Sequence, residues 1–246
     1  MSYPHRTCRA RDLRGSRVGG ALLLAGSVLT APAASAAETG VVIEKVSVNG
    51  GKSIVFGTSR TESFTISVTV SDDSGISKDL AFLAIEREKG ATTSNCKLGV
   101  KLEKDIDLPR NTLAGPWDVY VQFQAKDGDY YGGVYQTHPV KRRSTLGVDA
   151  SPEPVTKGKT ITVTGKLARA NWDKYVYAGY TSQPVKLQFR PKNSATYSTV
   201  RTVTSDSTGK LRTTVKAAQD GYWRWSFGGT ATTAAVKATG DFVDVR

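Results

Sequence analysis

From residue 221 the chain reads Gly-Tyr-Trp-Arg-Trp-Ser-Phe, with a large ring at every second position. Trp223, Trp225 and Phe227 share one parity, and Tyr222, Arg224 and Ser226 share the other. An α-helix would turn residue i+2 away from i and i+4, whereas a strand puts all three on one face. The same period of two recurs along the chain. Phe64, Ile66, Val68 and Val70 alternate with hydroxyl residues, and Trp117, Val119, Val121 and Phe123 alternate with Asp118, Tyr120, Gln122 and Gln124. Ile161, Val163 and Leu167 repeat the pattern, as do Val185, Leu187 and Phe189, then Leu211, Thr213 and Val215. Such runs are half-buried antiparallel strands. In a two-layer packing the uniformly aromatic face belongs inside, because hiding large rings from water outweighs displaying them. The 221–227 run is therefore expected to be core, not a stacking platform for nucleic acid or sugar.

Turn signals such as Asp72-Asp73-Ser74-Gly75 and Asp206-Ser-Thr-Gly209 separate the runs, and no segment reads as an amphipathic helix. Lys141-Arg-Arg143 and the proline-containing Ser151-Pro-Glu-Pro154 divide the chain. Each side then shows an alternating strand, further strands and an aromatic strand near its end. The expected fold is all-β: two tandem immunoglobulin-like sandwiches, 37–148 and 149–246, after a signal peptide at 1–36. In the second, Gln219-Asp-Gly-Tyr222 reads as the corner leading into the penultimate strand.

The signal peptide is read from five arginines up to Arg17, the apolar run Val18–Leu29 and the small residues Ala34-Ser35-Ala36, with cleavage expected after Ala36. That apolar run is too short to span a bilayer, and no later stretch reaches the ~20 apolar residues a membrane helix needs. No cysteine follows it for lipid anchoring and no Arg-Arg pair precedes it, so Sec-type export to the outside is expected. Cys8 leaves with the signal and Cys96 stays alone, so no internal disulfide is expected. Cys96 reads as a small core residue on a strand, with an intermolecular bridge as the alternative. Charge is divided unevenly: residues 37–148 hold fourteen basic and fourteen acidic side chains, residues 149–246 fifteen and seven. The second domain is thus the basic one, suited to an anionic partner.

Val155-Thr-Lys-Gly-Lys-Thr-Ile-Thr-Val-Thr-Gly-Lys-Leu167, Pro184-Val-Lys-Leu-Gln-Phe-Arg-Pro-Lys192, Thr202-Val-Thr-Ser-Asp-Ser-Thr-Gly-Lys-Leu211 and Asp220-Gly-Tyr-Trp-Arg224 together resemble the immunoglobulin-like repeat of actinobacterial secreted proteins. The likeness covers about 152–246; in the first half only Thr69–Ile76 and the tryptophan strand share it. The resemblance implies an exported β-sandwich protein, in some cases labelled calcium-binding, with no established activity.

Enzyme chemistry is not expected. Once the signal is removed, His138 is the only histidine, and it reads as a surface residue. There is no G-x-S-x-G elbow, no Walker or dinucleotide glycine pattern and no recognisable zinc spacing. Two polar constellations stand out. The loops after the second and penultimate strands of an immunoglobulin-like domain emerge at one end, so Asp72, Asp73, Asp127 and Asp129 are expected to gather there. An all-oxygen set of that kind suits a hard cation such as calcium, although Asp and Gly also dominate turns for backbone reasons alone. At the matching pole of the second domain, Trp172, Lys174, Tyr175, Tyr177 and Tyr180 form either a partner-binding loop or a set of rings capping the sandwich end. The expected function is a non-enzymatic binding or cell-surface module whose second domain contacts an anionic or glycan-bearing envelope polymer. The alternative is a calcium-dependent structural or adhesion protein; no nucleic acid partner is expected.

Overall fold

The computed structural model describes residues 40–59, 61–86, 98–101 and 110–246. The signal segment and Cys96 lie outside the described residues. The first sandwich contains β1 (Val42–Val48), β2 (Ile54–Phe56), β3 (Thr61–Phe64), β4 (Ile66–Ser71), β5 (Ile76–Glu86), β6 (Leu98–Lys101), β7 (Gly115–Ala125) and β8 (Tyr130–Arg142). The second contains β9 (Ser144–Leu146), β10 (Asp149–Ser151), β11 (Thr160–Asn171), β12 (Val176–Gly179), β13 (Pro184–Pro191), β14 (Ser198–Thr204), β15 (Lys210–Lys216), β16 (Gly221–Phe227), β17 (Val236–Lys237) and β18 (Asp241–Val243). The only helical pieces among the described residues are 310 turns at Asn49–Gly51 and Arg110–Leu113. The protein is all-β, with two immunoglobulin-like sandwiches in series.

In the first sandwich β2-β8-β7-β5 form one sheet, and β1 with β4 and β3 with β6 form the opposing layer. β2 joins β8 in parallel, and the other pairings in this sandwich are antiparallel. β3 and β4 continue one alternating run broken at Thr65, so Phe64, Ile66 and Val70 still point inward while the pairing passes from β6 to β1. In the second sandwich β11 is flanked by β9 and β10 on one side and by β15 and β12 on the other, and β14-β13-β16 faces that sheet, with β17 and β18 completing its edge. Ser144–Leu146 pairs with Arg169–Leu167, so the chain has already entered the second sandwich by residue 144.

The parity reading holds in both halves. Trp117, Val119, Val121 and Phe123 are buried on β7, and Trp223, Trp225 and Phe227 on β16. Trp225 is fully enclosed, and its indole Nε1–H donates to Thr164 O on the facing sheet at 2.8 Å. That approach needs a bare backbone beneath the ring: a Cβ on Gly165 would lie 2.6 Å from Trp225 Cδ1.

His138 is not at the surface. It is 5% exposed on β8, and Nε2 donates to Lys52 O at 3.0 Å. Its sequence position, beside Pro139 near the end of a domain, gave no sign that the Asn49–Gly51 turn folds over it. Burial lowers its pKa from the ordinary histidine value, and the bond to the Lys52 carbonyl opposes this in part.

Candidate functional site

The turn after β4 and the hairpin between β7 and β8 lie side by side. Lys126 N–H donates to Gly75 O at 2.8 Å, and Asp127 N–H to Ser74 Oγ at 3.2 Å. Gly75 and Gly128 provide the left-handed corners, at φ +86° and +106°. Asp72 closes its own turn: Oδ1 accepts from Ser74 N–H at 2.9 Å and Ser74 Oγ–H at 2.7 Å, while Oδ2 is shielded from solvent with no hydrogen-bond partner. Asp127 Oδ1 accepts from Asp129 N–H at 3.1 Å. One carboxylate oxygen each from Asp72, Asp73 and Asp127 lies within 4.8 Å of the others. Asp129 stands outside that trio but feels it: the charge of Asp127 first, then desolvation, then the charges of Asp72 and Asp73 raise its pKa above the ordinary carboxylate value. The pole is thus a knot of like charge with oxygen ligands only, a donor set that suits a hard cation.

The aromatic loop of the second half is built differently from a binding loop. β11 buries Ile161, Val163 and Leu167 in its own sandwich, then changes parity, so that Ala168, Ala170 and Trp172 point inward instead. Ala170 and Trp172 belong to the core of the first sandwich, among Ile54, Phe56, Ile85 and Trp117. Trp172 is 1% exposed, meets Phe56 edge-on at 5.9 Å between ring centroids, and donates from Nε1 to Phe56 O at 3.3 Å. Asn111 fixes the corner. Its Oδ1 accepts from Trp172 N–H at 2.9 Å, its Nδ2 donates to Asn171 Oδ1 at 3.0 Å and to Asp173 Oδ2, and its N–H donates to Asp173 Oδ1 at 3.0 Å. Trp172 therefore offers no surface to a partner.

Tyr180 is enclosed as well. It packs against Phe227 in the second core, under the Arg169 guanidinium at 3.9 Å from the ring centre. Tyr175 is half-buried in left-handed backbone at φ +54°. Tyr177 keeps substantial exposure, and its Oη comes within 3.3 Å of a Cβ position on Gly57, across the junction between the sandwiches. Of the five residues, only Lys174 and Tyr177 are exposed. The set is mainly a seam: the large rings serve two cores because a corner this short sits where two apolar interiors meet.

Arg142 completes the seam. It is 7% exposed at the end of β8, donates from Nε to Ala170 O at 2.6 Å, and bridges Thr233 through the backbone. Burial first, then the Arg169 charge, pull its pKa down to about 10, so it stays charged at neutral pH. Arg143 alone separates β8 from β9; its N–H donates to Phe56 O at 2.7 Å, and its guanidinium meets Glu62 at 2.6 Å. A junction of one hydrogen-bonded residue leaves no flexible linker.

No protein-family model matches the chain, and no curated protein matches it. Among solved structures it is similar to the D00-D0 domain of intimin, at 17% identity and a TM-score of 0.30, over 81% of this chain and 99% of that one. It is also similar to Clostridium thermocellum CbhA fibronectin(III)-like modules, at 10% identity and a TM-score of 0.35, over 83% and 92% of the two chains. Dimeric latent PorU from Porphyromonas gingivalis matches at 13% identity and a TM-score of 0.29, with 83% of this chain aligned to a fifth of that one. At such scores these likenesses carry nothing about binding.

Proposed function

We propose that the chain is an exported, non-enzymatic module that contacts an anionic or glycan-bearing polymer of the cell envelope through its basic second sandwich. The observation that carries this reading is the seam. Two sandwiches joined through Trp172, Arg142 and a single connecting residue behave as one rod, which holds a charged domain at a fixed distance and orientation. The excess positive charge, fifteen basic against seven acidic side chains over 149–246, supplies attraction that salt screens. Labelled protein should pellet with purified cell wall at low salt and be released as salt rises. Failure to pellet at any ionic strength sinks the proposal.

A second reading is favoured by the convergence of Asp72, Asp73 and Asp127 and by the unpartnered Asp72 Oδ2. Here calcium neutralises the pole and stiffens the first sandwich, with further oxygens from water. A site in the millimolar class of extracellular modules, with a Kd of about 0.1 mM, contributes about 1.4 kcal/mol at about 1 mM calcium. The expected result is a melting temperature several degrees higher in calcium than in chelator, with the difference lost in Asp73→Asn/Asp127→Asn. An unchanged melt on adding calcium rejects this reading.

A further inference from the structure

The face of the second sandwich that points away from the core is organised around planar cations. Gln188 and Arg190 on β13 stand beside Arg224 and Tyr222 on β16, and Phe242 on β18 stands beside Tyr222. Tyr197, from the β13–β14 connection, reaches back across this face, so that a side chain on Gly240 would run into its hydroxyl. A stack results. The Arg224 guanidinium lies 3.6 Å from the Tyr197 ring centre, and Arg190 lies 5.4 Å from Tyr197 and 3.8 Å from Tyr222. Tyr222 leans on Phe242 at 5.1 Å.

The stack sets a ring against a flat face of each guanidinium and leaves their edges. Arg224 donates from Nε to Gln188 Oε1 at 2.9 Å, and Arg190 from Nη1 to Ser194 O at 2.8 Å. Among the described residues, neither guanidinium meets a carboxylate within ion-pair distance. The acidic groups bordering this face are engaged elsewhere: Asp220 accepts from Val245 N–H and pairs with Lys192 at 3.5 Å, Asp241 accepts from Ala150 N–H, and Asp244 pairs with Arg246. Lys186 and Lys237 extend the positive strip on either side of Ser226. Two cations are thus held with one donor each bound to a neutral oxygen, no carboxylate on the rest, and most of their side-chain entropy already lost, which lowers the cost of capturing an anion.

We propose that this outer face, centred on Arg190 and Arg224 in their stack with Tyr197 and Tyr222, docks an anionic polysaccharide through its carboxylate or sulfate groups. The inference rests on the reading of the chain as an exported binding module and names the surface and the ligand chemistry. Charge complementarity argues for a polyanion. Among polyanions, a single-stranded nucleic acid needs bare ring faces on which bases can stack, and here Tyr197 and Tyr222 are already covered by guanidinium. What is offered instead is a set of N–H edges beside hydroxyls.

The test is equilibrium binding of the full chain to polygalacturonate, with neutral dextran and single-stranded DNA as comparators, at two ionic strengths. Wild type is expected to bind polygalacturonate, more weakly at higher salt, and to bind dextran and DNA at least tenfold more weakly. Arg190→Gln/Arg224→Gln should weaken binding at least tenfold. Lys159→Gln/Lys216→Gln, which removes the same charge from the opposite sheet, should stay within twofold. Arg190→Lys/Arg224→Lys keeps the charge but loses the planar donors, and should fall several-fold; it carries the comparison if the glutamine pair does not fold. Equal losses from the two charge-removing pairs, full affinity in the lysine pair, tighter binding of DNA, or no binding to polygalacturonate each overturn the proposal. Pelleting with whole cell wall while polygalacturonate is ignored overturns only this face; absence of pelleting overturns the module reading beneath it.

Discussion

Trp225→Ala should unfold the second sandwich at ordinary temperatures or leave it barely folded, while Arg224→Ala, one residue away, should lower the melting temperature far less and leave the domain folded. Trp225 is fully enclosed between the sheets, packed with Leu187, Val163 and Phe227 in one cluster. Truncating a buried tryptophan removes its transfer energy and leaves a cavity, together costing ~3–5 kcal/mol. The indole also donates to Thr164 O on the opposing sheet, and losing that part-buried bond adds about 1 kcal/mol. Against a total stability of ~5–15 kcal/mol for a domain, that sum is decisive. Arg224 stands on the other face, half-exposed, and gives up a stack on Tyr197 and a bond to Gln188, worth about 1 kcal/mol each at such a site. Paired thermal melts decide the matter. An unperturbed melt for Trp225→Ala would mean that the ring is not core and that the alternation has been assigned to the wrong face.

Why that residue was legible and others were not follows from how local each signal is. On β16 the inward parity is carried by Trp223, Trp225 and Phe227 without a break, and a strand in the middle of its sheet has no other way to hide three rings. The acidic pole was legible for a topological reason. Once β4 and β7 are assigned, their exits must share an end, and the backbone bond from Lys126 to Gly75 is the result. Trp172 obeys neither rule. β11 outlasts its own sandwich, and past Leu167 its inward parity switches from odd to even because the partner interior is now the first sandwich. Ala168, Arg169 and Ala170 carry too little apolar weight to announce the switch, so the tryptophan after them reads as loop. Burial of His138 under the Asn49–Gly51 turn is equally nonlocal. The stack around Tyr197 depends on a connection folding back over a sheet, which alternation alone does not encode.

Trp172→Ala should act on the sandwich to which it does not belong in sequence. The ring fills space bounded by Phe56, Trp117 and Ile85, so its removal opens a cavity in the first sandwich and costs that sandwich ~3–5 kcal/mol. The second sandwich loses little, because its own interior, from Ala150 to Val243, does not include this side chain. A calorimetric trace should therefore divide into an early transition from the first sandwich and a later one near the wild-type position. Limited proteolysis should release a fragment close to residues 144–246, since that portion retains β9 against β11 and the whole of its core. Asn111→Ala should move in the same direction by less, since it removes the clamp on Trp172 and Asp173 and leaves the ring in place. If Trp172→Ala instead lowers the second sandwich's transition, the ring is serving the core of its own strand. If it shifts neither, the seam carries no stability, and the rigid rod on which the proposed function depends fails with it.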